Sequence, residues 1–384
     1  MRTLPCLIIA LAAVALPGLS SCNRNGSGVD DIIVGAATPD TLTHHCHYLT
    51  LVDFGNGTTL AEITNPWDST RQLARYLLVD RDSAMPEQLP ADVSVIRTPV
   101  QNAAVFSAVH TSAINELGAI GAVKSVADAA YFPKNDTVCA LLAQGKVTDV
   151  GTSEMPSVER LAAAGTEVVL RSPMQGANAA SFPTGMVAVE MADYLETSPI
   201  SRAEWILLIG RLFGKDAEAQ TIFSDVVADY SDLALKVKLA DKTTPKVLTE
   251  TEVSGVWYVP AGKSYQARML ADAGASYPWS DTDGTGSLAL SLESVAEKAM
   301  DADMWLVRSF GYETTPATLK AMNPRYAAFK AWKDGEVYSC NSAERLIFND
   351  MAFHPEKILA DYVAIFHPEL MPGYELKYFR KTGK

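Results

Sequence analysis

Three signatures that would announce an enzyme are missing from this chain. Its 384 residues contain no glycine-rich phosphate loop, no Gly-x-Ser-x-Gly and no His-Glu-x-x-His. P-loop phosphoryl transfer, nucleophile-elbow hydrolysis and zincin chemistry therefore have no basis in the sequence. Histidine is scarce, six in all, and scattered: His44, His45 and His47 come early, His354 and His367 flank the last expected helix, and only His110 stands where a site could form. Cysteine is scarce too. Of the five, Cys6 and Cys22 belong to the leader described below. Cys46, Cys139 and Cys340 then leave room for one disulfide at most, so no disulfide framework holds the fold. Basic charge is in deficit: 32 Lys and Arg against 45 Asp and Glu give −13. Such a surface argues against nucleic acid or an anionic membrane face as partner. Nor is any apolar run long enough for a permanent membrane span, since residues 7–16 fall short of the roughly 20 needed.

What is present is a globular composition, 48% apolar and 20% charged, over a length that suits two domains. The chain opens with Arg2, the apolar run "LPCLIIALAAVAL" and "LSSC", the plan of a secretory signal over residues 1–21. A cysteine directly after Leu-Ser-Ser resembles the lipobox of bacterial lipoproteins, which implies that Cys22 becomes the lipidated first residue. Residues 22–46 would then be a tether, and "NRNGSGVDD" is small and polar as a tether requires. Loss of the signal removes one Arg and no acid, so the mature charge is 31 − 45 = −14. The string "HHCH" at His44–His47 is the most metal-like in the chain. On an extended strand, however, His45 and His47 share one face and Cys46 the other, so the three do not converge on one ion.

Residues 47–92 read as a small antiparallel β segment: "HYLTLVDF", the turn "GNG" and "TTLAEI", then "RYLLVDR". From Val93 short apolar runs ("VSVI", "AVFSAV", "KVTDV", "EVVL", "MVAVEM") alternate with helical stretches, which predicts a parallel sheet covered by helices over 93–213. Residues 214–240 carry Ile222, Phe223, Val226, Val227, Tyr230, Leu233 and Val237 at helical spacing, a rod suited to joining two lobes. The alternation restarts over 241–384. The expected fold is thus α/β: two Rossmann-like lobes with parallel-rich sheets joined by one long helix, plus the N-terminal β segment.

One unit occurs twice. "SVERLAAAGTEVVLRS" runs from Ser157 to Ser172 and "SLESVAEKAMDADMWLVRS" from Ser291 to Ser309, each beginning Ser-x-Glu and ending Arg-Ser. In a parallel αβ unit the helix N-terminus and the end of the next strand share the sheet edge where ligands bind. Glu159 and Arg171 therefore share an edge of the first lobe, and Glu293 and Arg308 the matching edge of the second. Two exposed carboxylates on matching edges can grip a two-fold partner through its arginines. The arginines suit an anionic ligand between the lobes.

These units, with "GKVTDVGTSEMPSVERLAAAGTEVVL", "SRAEWILLIGRLFGKDAEA", "WYVPAGKSYQARMLADAGA" and "IFHPEL", resemble the periplasmic substrate-binding proteins of ABC importers for ferric siderophores, haem and corrinoids, the cluster typified by the vitamin B12 and ferrichrome binding proteins. The resemblance covers roughly Ala104 to the C-terminus; the segment before Val93 has no counterpart in the smaller members. It implies a monomer lipid-anchored in the periplasm, with an ABC permease and its ATPase as partners. The implied ligand is an iron chelate, haem or corrinoid, and the only covalent group is the lipid on Cys22. Glu159 and Glu293 fall on the family's two permease-docking glutamates. Tyr131 resembles the tyrosine that stacks on ligand in the B12 binders. Trp257, Tyr258 and Tyr265, in loop context, are expected as aromatic walls. His110 is an axial-ligand candidate, and Arg345 and Asn349 are rim candidates. With Arg171, Arg308 and Arg345 near the cleft, an anionic chelate is favoured over an uncharged corrinoid. No catalytic residue and no metal-ligand set is expected. The competing reading, a metal-dependent enzyme or chelatase on the same two-lobe fold, needs a clustered base and metal site that the scattered histidines do not supply.

Overall fold

One helix of 24 residues, Asp216–Leu239, about 36 Å long at 1.5 Å per residue, takes part in both hydrophobic cores. Ala219, Phe223 and Val226 pack into the core of the first lobe, and Tyr230 and Val237 into that of the second. Asp216 and Glu218 in its first turn and Lys236 and Lys238 in its last complement the helix dipole. The preceding helix stops at Gly214, whose φ of 66° is left-handed. A Cβ at Gly210 would lie 2.5 Å from that of Ala219, so only glycine lets the two helices approach. The computed structural model describes residues 39–382 apart from 88, 90, 91, 134, 135, 177–180, 241 and 242. The signal segment 1–21, Cys22 and most of the tether lie outside the described residues.

The N-terminal sheet runs β1 (Asp40–Thr41), β2 (Leu49–Asp53), β3 (Thr58–Thr64), β4 (Gln72–Asp80) and β5 (Ser94–Thr98), paired in sequence order. All pairs are antiparallel except β4 with β5. The run "VSVI", expected to open the first lobe, is thus the last strand of this sheet, and the lobe begins after it.

The first lobe is a fully parallel sheet in the order β10-β9-β6-β7-β8. Its strands are β6 (Ala103–Val105), β7 (Val123–Val126), β8 (Thr148–Asp149), β9 (Val168–Arg171) and β10 (Val187–Glu190). Its helices are α1 (Ala108–Glu116), α2 (Thr137–Ala143) and α3 (Val158–Ala163); α4 (Pro199–Ala203), α5 (Ile206–Phe213) and the long α6 (Asp216–Leu239) lead out of it.

The second lobe has β11 (Val247–Thr249), β15 (Met304–Ser309) and β16 (Val337–Asn341) in parallel, with β17 (Arg380–Lys381) antiparallel at the edge. A separate antiparallel sheet holds β12 (Glu252–Val253), β13 (Val256–Pro260) and β14 (Ser287–Leu290). The helices are α7 (Tyr265–Asp272), α8 (Leu292–Ala299), α9 (Pro316–Met322), α10 (Lys330–Asp334), α11 (Ile347–Phe353) and α12 (Pro355–Phe366).

The stretch "HHCH" is not a strand, because β2 begins only at Leu49. Its backbone amides are taken by two fully buried carboxylates instead. Glu204 accepts from the N–H groups of His44, His45 and Cys46, each at 2.8 Å. Glu196 accepts from His47 at 3.0 Å, Tyr48 at 3.1 Å and the Trp205 indole at 3.0 Å. Burial pushes the Glu196 carboxyl above its ordinary range, although these donors favour its charged form. The N-terminal sheet is in this way fastened to the helices that lead into α6. Among the described residues no group of three or more His, Cys, Asp or Glu could hold a metal ion. Cys46, Cys139 and Cys340 are all free.

Candidate functional site

Both halves of the repeated unit fold alike. Ser157 caps α3 by accepting from the Arg160 N–H, and Ser291 caps α8 by accepting from that of Ser294. Glu159 and Glu293 lie exposed in the first turns of these helices. The Ser157 hydroxyl donates to Glu159 at 3.1 Å, whereas Glu293 is ion-paired with Arg325 at 2.7 Å. Arg171 ends β9 and pairs with Glu190 on neighbouring β10 at 2.6 Å, its guanidinium 5.5 Å from the Phe182 ring. Arg308 near the end of β15 pairs with Glu250, the residue after neighbouring β11, and lies 5.4 Å from the Phe348 ring.

The Arg308 end of the second lobe opens into a cavity of about 480 Å³, within the range of small-molecule sites, roughly 300–1,000 Å³. Four aromatic side chains of its lining are substantially exposed: Tyr258 on β13, Phe310 and Tyr312 just beyond β15, and Phe348 on α11. Polar groups among them include Glu250, Glu252, Gln266, Ser287, Arg308 and Ser342. From the first lobe Tyr131, 71% exposed, brings its ring centroid to 6.1 Å from that of Phe310. The lip of this cavity is therefore where the two lobes meet. Tyr131 follows Asp128, which holds a left-handed φ of 55° and accepts from the Ser153 N–H at 3.2 Å, so its short turn is anchored.

Arg308 is largely buried, its side chain 10% exposed, and its three guanidinium nitrogens are all engaged. Nε donates to Glu250 at 2.6 Å, Nη2 donates to Glu250 and to Gln266, and Nη1 donates to the Met351 sulfur at 3.5 Å. Burial opposes its charge, but Glu250 outweighs that and holds the guanidinium above its ordinary pKa. Arg345 donates to the Tyr378 carbonyl at 3.0 Å and pairs with Glu313 at 3.1 Å. All three arginines expected as clamps for an anion thus have carboxylate partners within the fold.

Like Arg171 and Arg345, the expected contacts Trp257, Tyr265, His110 and Asn349 do not line this cavity. Trp257 is fully buried, stacked on Trp305 at 5.7 Å and donating through its indole to the Thr249 carbonyl. The segment "VWYVP" is a strand rather than a loop, so alternation turns Trp257 inward and Tyr258 outward. Tyr265 is buried in α7, beneath the Arg202 guanidinium at 4.6 Å. His110 is buried in α1 and bonded to Asp193 at 2.9 Å, while Arg202 donates to the other Asp193 oxygen at 3.0 Å. Burial works against the Asp193 charge, but Arg202 and His110 hold its carboxyl below the usual range. Asn349 donates to the Ala108 carbonyl at 3.2 Å, tying α11 to the first lobe. Sequence reasoning missed Phe310, Tyr312, Phe348, Glu250 and Gln266. Phe310 and Tyr312 were within reach, because the strand-end rule that selects Arg308 extends to the loop after it.

Residues 108–344 match the family described as periplasmic binding protein. An uncharacterized lipoprotein of Methanocaldococcus jannaschii is 31% identical over 329 residues, 82% of this chain and 77% of that one. Among solved structures, a periplasmic heme binding protein from Pseudomonas aeruginosa superposes with a TM-score of 0.57 at 17% identity, over 74% of this chain and 98% of its own. An ABC-type Fe3+-hydroxamate transport protein from Saccharomonospora viridis does so with a TM-score of 0.53 at 16% identity, over 69% and 93%. At such identities these two likenesses speak to the fold. No helix among the described residues is long and apolar enough to cross a membrane.

Proposed function

The chain belongs to the periplasmic binding protein family, and from that premise we propose that it captures a metal chelate or metallated macrocycle between its lobes and hands it to an ABC permease. The observation that carries this reading is the aromatic cavity at the Arg308 edge, with Tyr131 of the opposite lobe beside Phe310 at its lip. Flat, partly apolar ligands gain from such walls through stacking and burial of apolar area. The part of the ligand beyond the cavity would lie against Tyr131.

Delivery is assigned to Glu159 and Glu293, which are exposed at the first turns of two equivalent helices. A pair of carboxylates held on two lobes suits arginines on a two-fold permease, whose ATPase drives release. Anchoring is assigned to a lipid on Cys22, with the protein a periplasmic monomer. Changing Glu159 and Glu293 together to Ala is expected to abolish uptake in cells while the purified variant keeps its ligand affinity. Transport that survives the double change overturns the docking assignment. Purified wild-type protein that binds no ferric siderophore, haem or cobalamin in titration calorimetry overturns the binding-protein reading itself.

A further inference from the structure

Arg308 is the only cation among the described residues that line the cavity, and two carboxylates, Glu250 and Glu252, stand against it. Four of its five N–H donors are already engaged, by Glu250, Gln266 and the Met351 sulfur, so its charge faces a carboxylate partner before any ligand arrives. Glu252 accepts from the Tyr326 hydroxyl at 2.9 Å and the Asn323 amide at 3.1 Å, both neutral donors. The described lining carries +1 − 2 = −1.

Glu250 is placed there against the backbone's preference. Its φ of 66° is left-handed, a region that disfavours side chains with a Cβ. It is fastened from both sides: its N–H donates to the Leu306 carbonyl at 2.8 Å, and its own carbonyl accepts from the Trp305 indole at 2.7 Å. The chain thus holds a strained residue at the one position that sets a carboxylate against Arg308. The exposed faces of Tyr258, Phe310, Tyr312 and Phe348 complete the lining, and aromatic faces attract cations and apolar planes rather than anions.

We propose that this cleft selects chelates or macrocycles that carry no net negative charge, neutral or cationic, and discriminates against anionic ones. The inference rests on the binding-protein reading above and names its ligand class. A ligand bearing free carboxylates or catecholates would lose water at those groups and meet Glu252, while the one cation of the described lining is already paired with Glu250.

The experiment is a calorimetric titration of the purified protein with five probes. These are cationic ferrioxamine B, neutral ferrichrome, neutral cyanocobalamin, haemin with its two propionates, and anionic ferric enterobactin. The tightest binding is expected among the first three, with the two anionic probes weaker by roughly tenfold or more. The variant Glu250→Gln, checked for folding by circular dichroism, unmasks Arg308 and is expected to move the preference toward the anionic probes by a comparable factor. Haemin or ferric enterobactin as the tightest wild-type ligand overturns the charge inference and leaves the binding-protein reading standing. Binding of no probe overturns both. The wild-type series decides the matter even where Glu250→Gln does not fold.

Discussion

At the end of β9, Arg171 pairs with Glu190 and lies over Phe182; near the end of β15, Arg308 pairs with Glu250 and lies over Phe348. The two lobes hold the same triad in the same place, yet its surroundings differ. Tyr76 of the N-terminal sheet reaches into the first-lobe triad, its hydroxyl donating to the Ala188 carbonyl at 2.9 Å and accepting from the Glu190 N–H at 3.0 Å. The triad of the second lobe opens on the aromatic cavity instead. The N-terminal sheet ties down one copy, and the other copy forms a wall of the cavity. A repeat in sequence therefore fixes geometry in both lobes without fixing use.

The comparison is strained most by an attack on the core behind the open triad. Trp257, packed among Trp305, Tyr326 and Phe329, is expected to cost about 4 kcal/mol when changed to Ala, as large aromatic deletions do. Its neighbour Tyr258, which faces the cavity, is expected to leave stability nearly unchanged and to weaken ligand binding roughly tenfold on the same change. Chemical denaturation and titration calorimetry on the two variants separate core from wall. Equal stability losses would mean that the two side chains do not alternate between core and cavity.

A direct test of the asymmetry compares Arg171→Met with Arg308→Met. Each leaves a half-buried glutamate without its cation, and each is expected to lose about 3 kcal/mol in denaturant unfolding. Only Arg308→Met is expected to alter ligand affinity, because only Arg308 lines the cavity. Equal affinity losses in both variants would restore functional symmetry to the lobes.

Those tests use residues of unequal legibility. The linking helix could be read from the spacing of Phe223, Val226, Tyr230 and Val237, because local periodicity carries it. Arg171 and Arg308 could be placed on the correct sheet edge from the repeat alone. Their partners could not: Glu190 is 19 residues from Arg171, and Glu250 is 58 from Arg308, and pairing across parallel strands leaves no local pattern. Without the partners, three compensated arginines read as three free cations. Trp257 and Tyr258 read alike because Pro260 and Gly262 suggest a loop, and β13, the central strand of its small sheet, is too short to show its alternation beside those residues. β5 reads as a lobe strand because "VSVI" is a short apolar run like those that follow it, and its pairing with β4 leaves no local mark.

A smaller effect tests how firmly the lobes are joined. His354, between α11 and α12, is bonded to Glu116 of the first lobe at 2.7 Å and to Glu356 at 3.0 Å. Burial opposes its charge, but the two carboxylates prevail and raise its pKa from 6.5 to about 9. A raised folded-state pKa means stability that is fully present below about pH 6.5 and lost as the pH climbs through about 9. The contribution is on the order of 2 kcal/mol, since each tenfold gain in proton affinity corresponds to about 1.4 kcal/mol and relaxation around the imidazolium offsets part of the total. The thermal midpoint of His354→Gln is expected to lie well below that of the wild type in mildly acidic buffer and to converge on it above the raised pKa. A constant gap across that window would show that the interlobe bond acts without its charge.

The least disturbance comes from the two exposed glutamates, and it probes the comparison at the rim rather than at the triads. Glu293 is held by Arg325 at 2.7 Å, whereas Glu159 accepts from the hydroxyl of its own cap, Ser157. Exposed pairs of this kind add little to stability, so Arg325→Ala is expected to leave the thermal midpoint where it was. If both lobes dock through a free carboxylate, releasing Glu293 makes the second lobe resemble the first, and the association rate with the permease rises modestly at low salt. If Arg325 instead bridges Glu293 to a carboxylate of the partner, the same change slows association, and the two lobes dock by different chemistry despite their shared Ser-x-Glu. Surface plasmon resonance of wild type and variant against the reconstituted permease, at two salt concentrations, distinguishes the cases by the sign of the change.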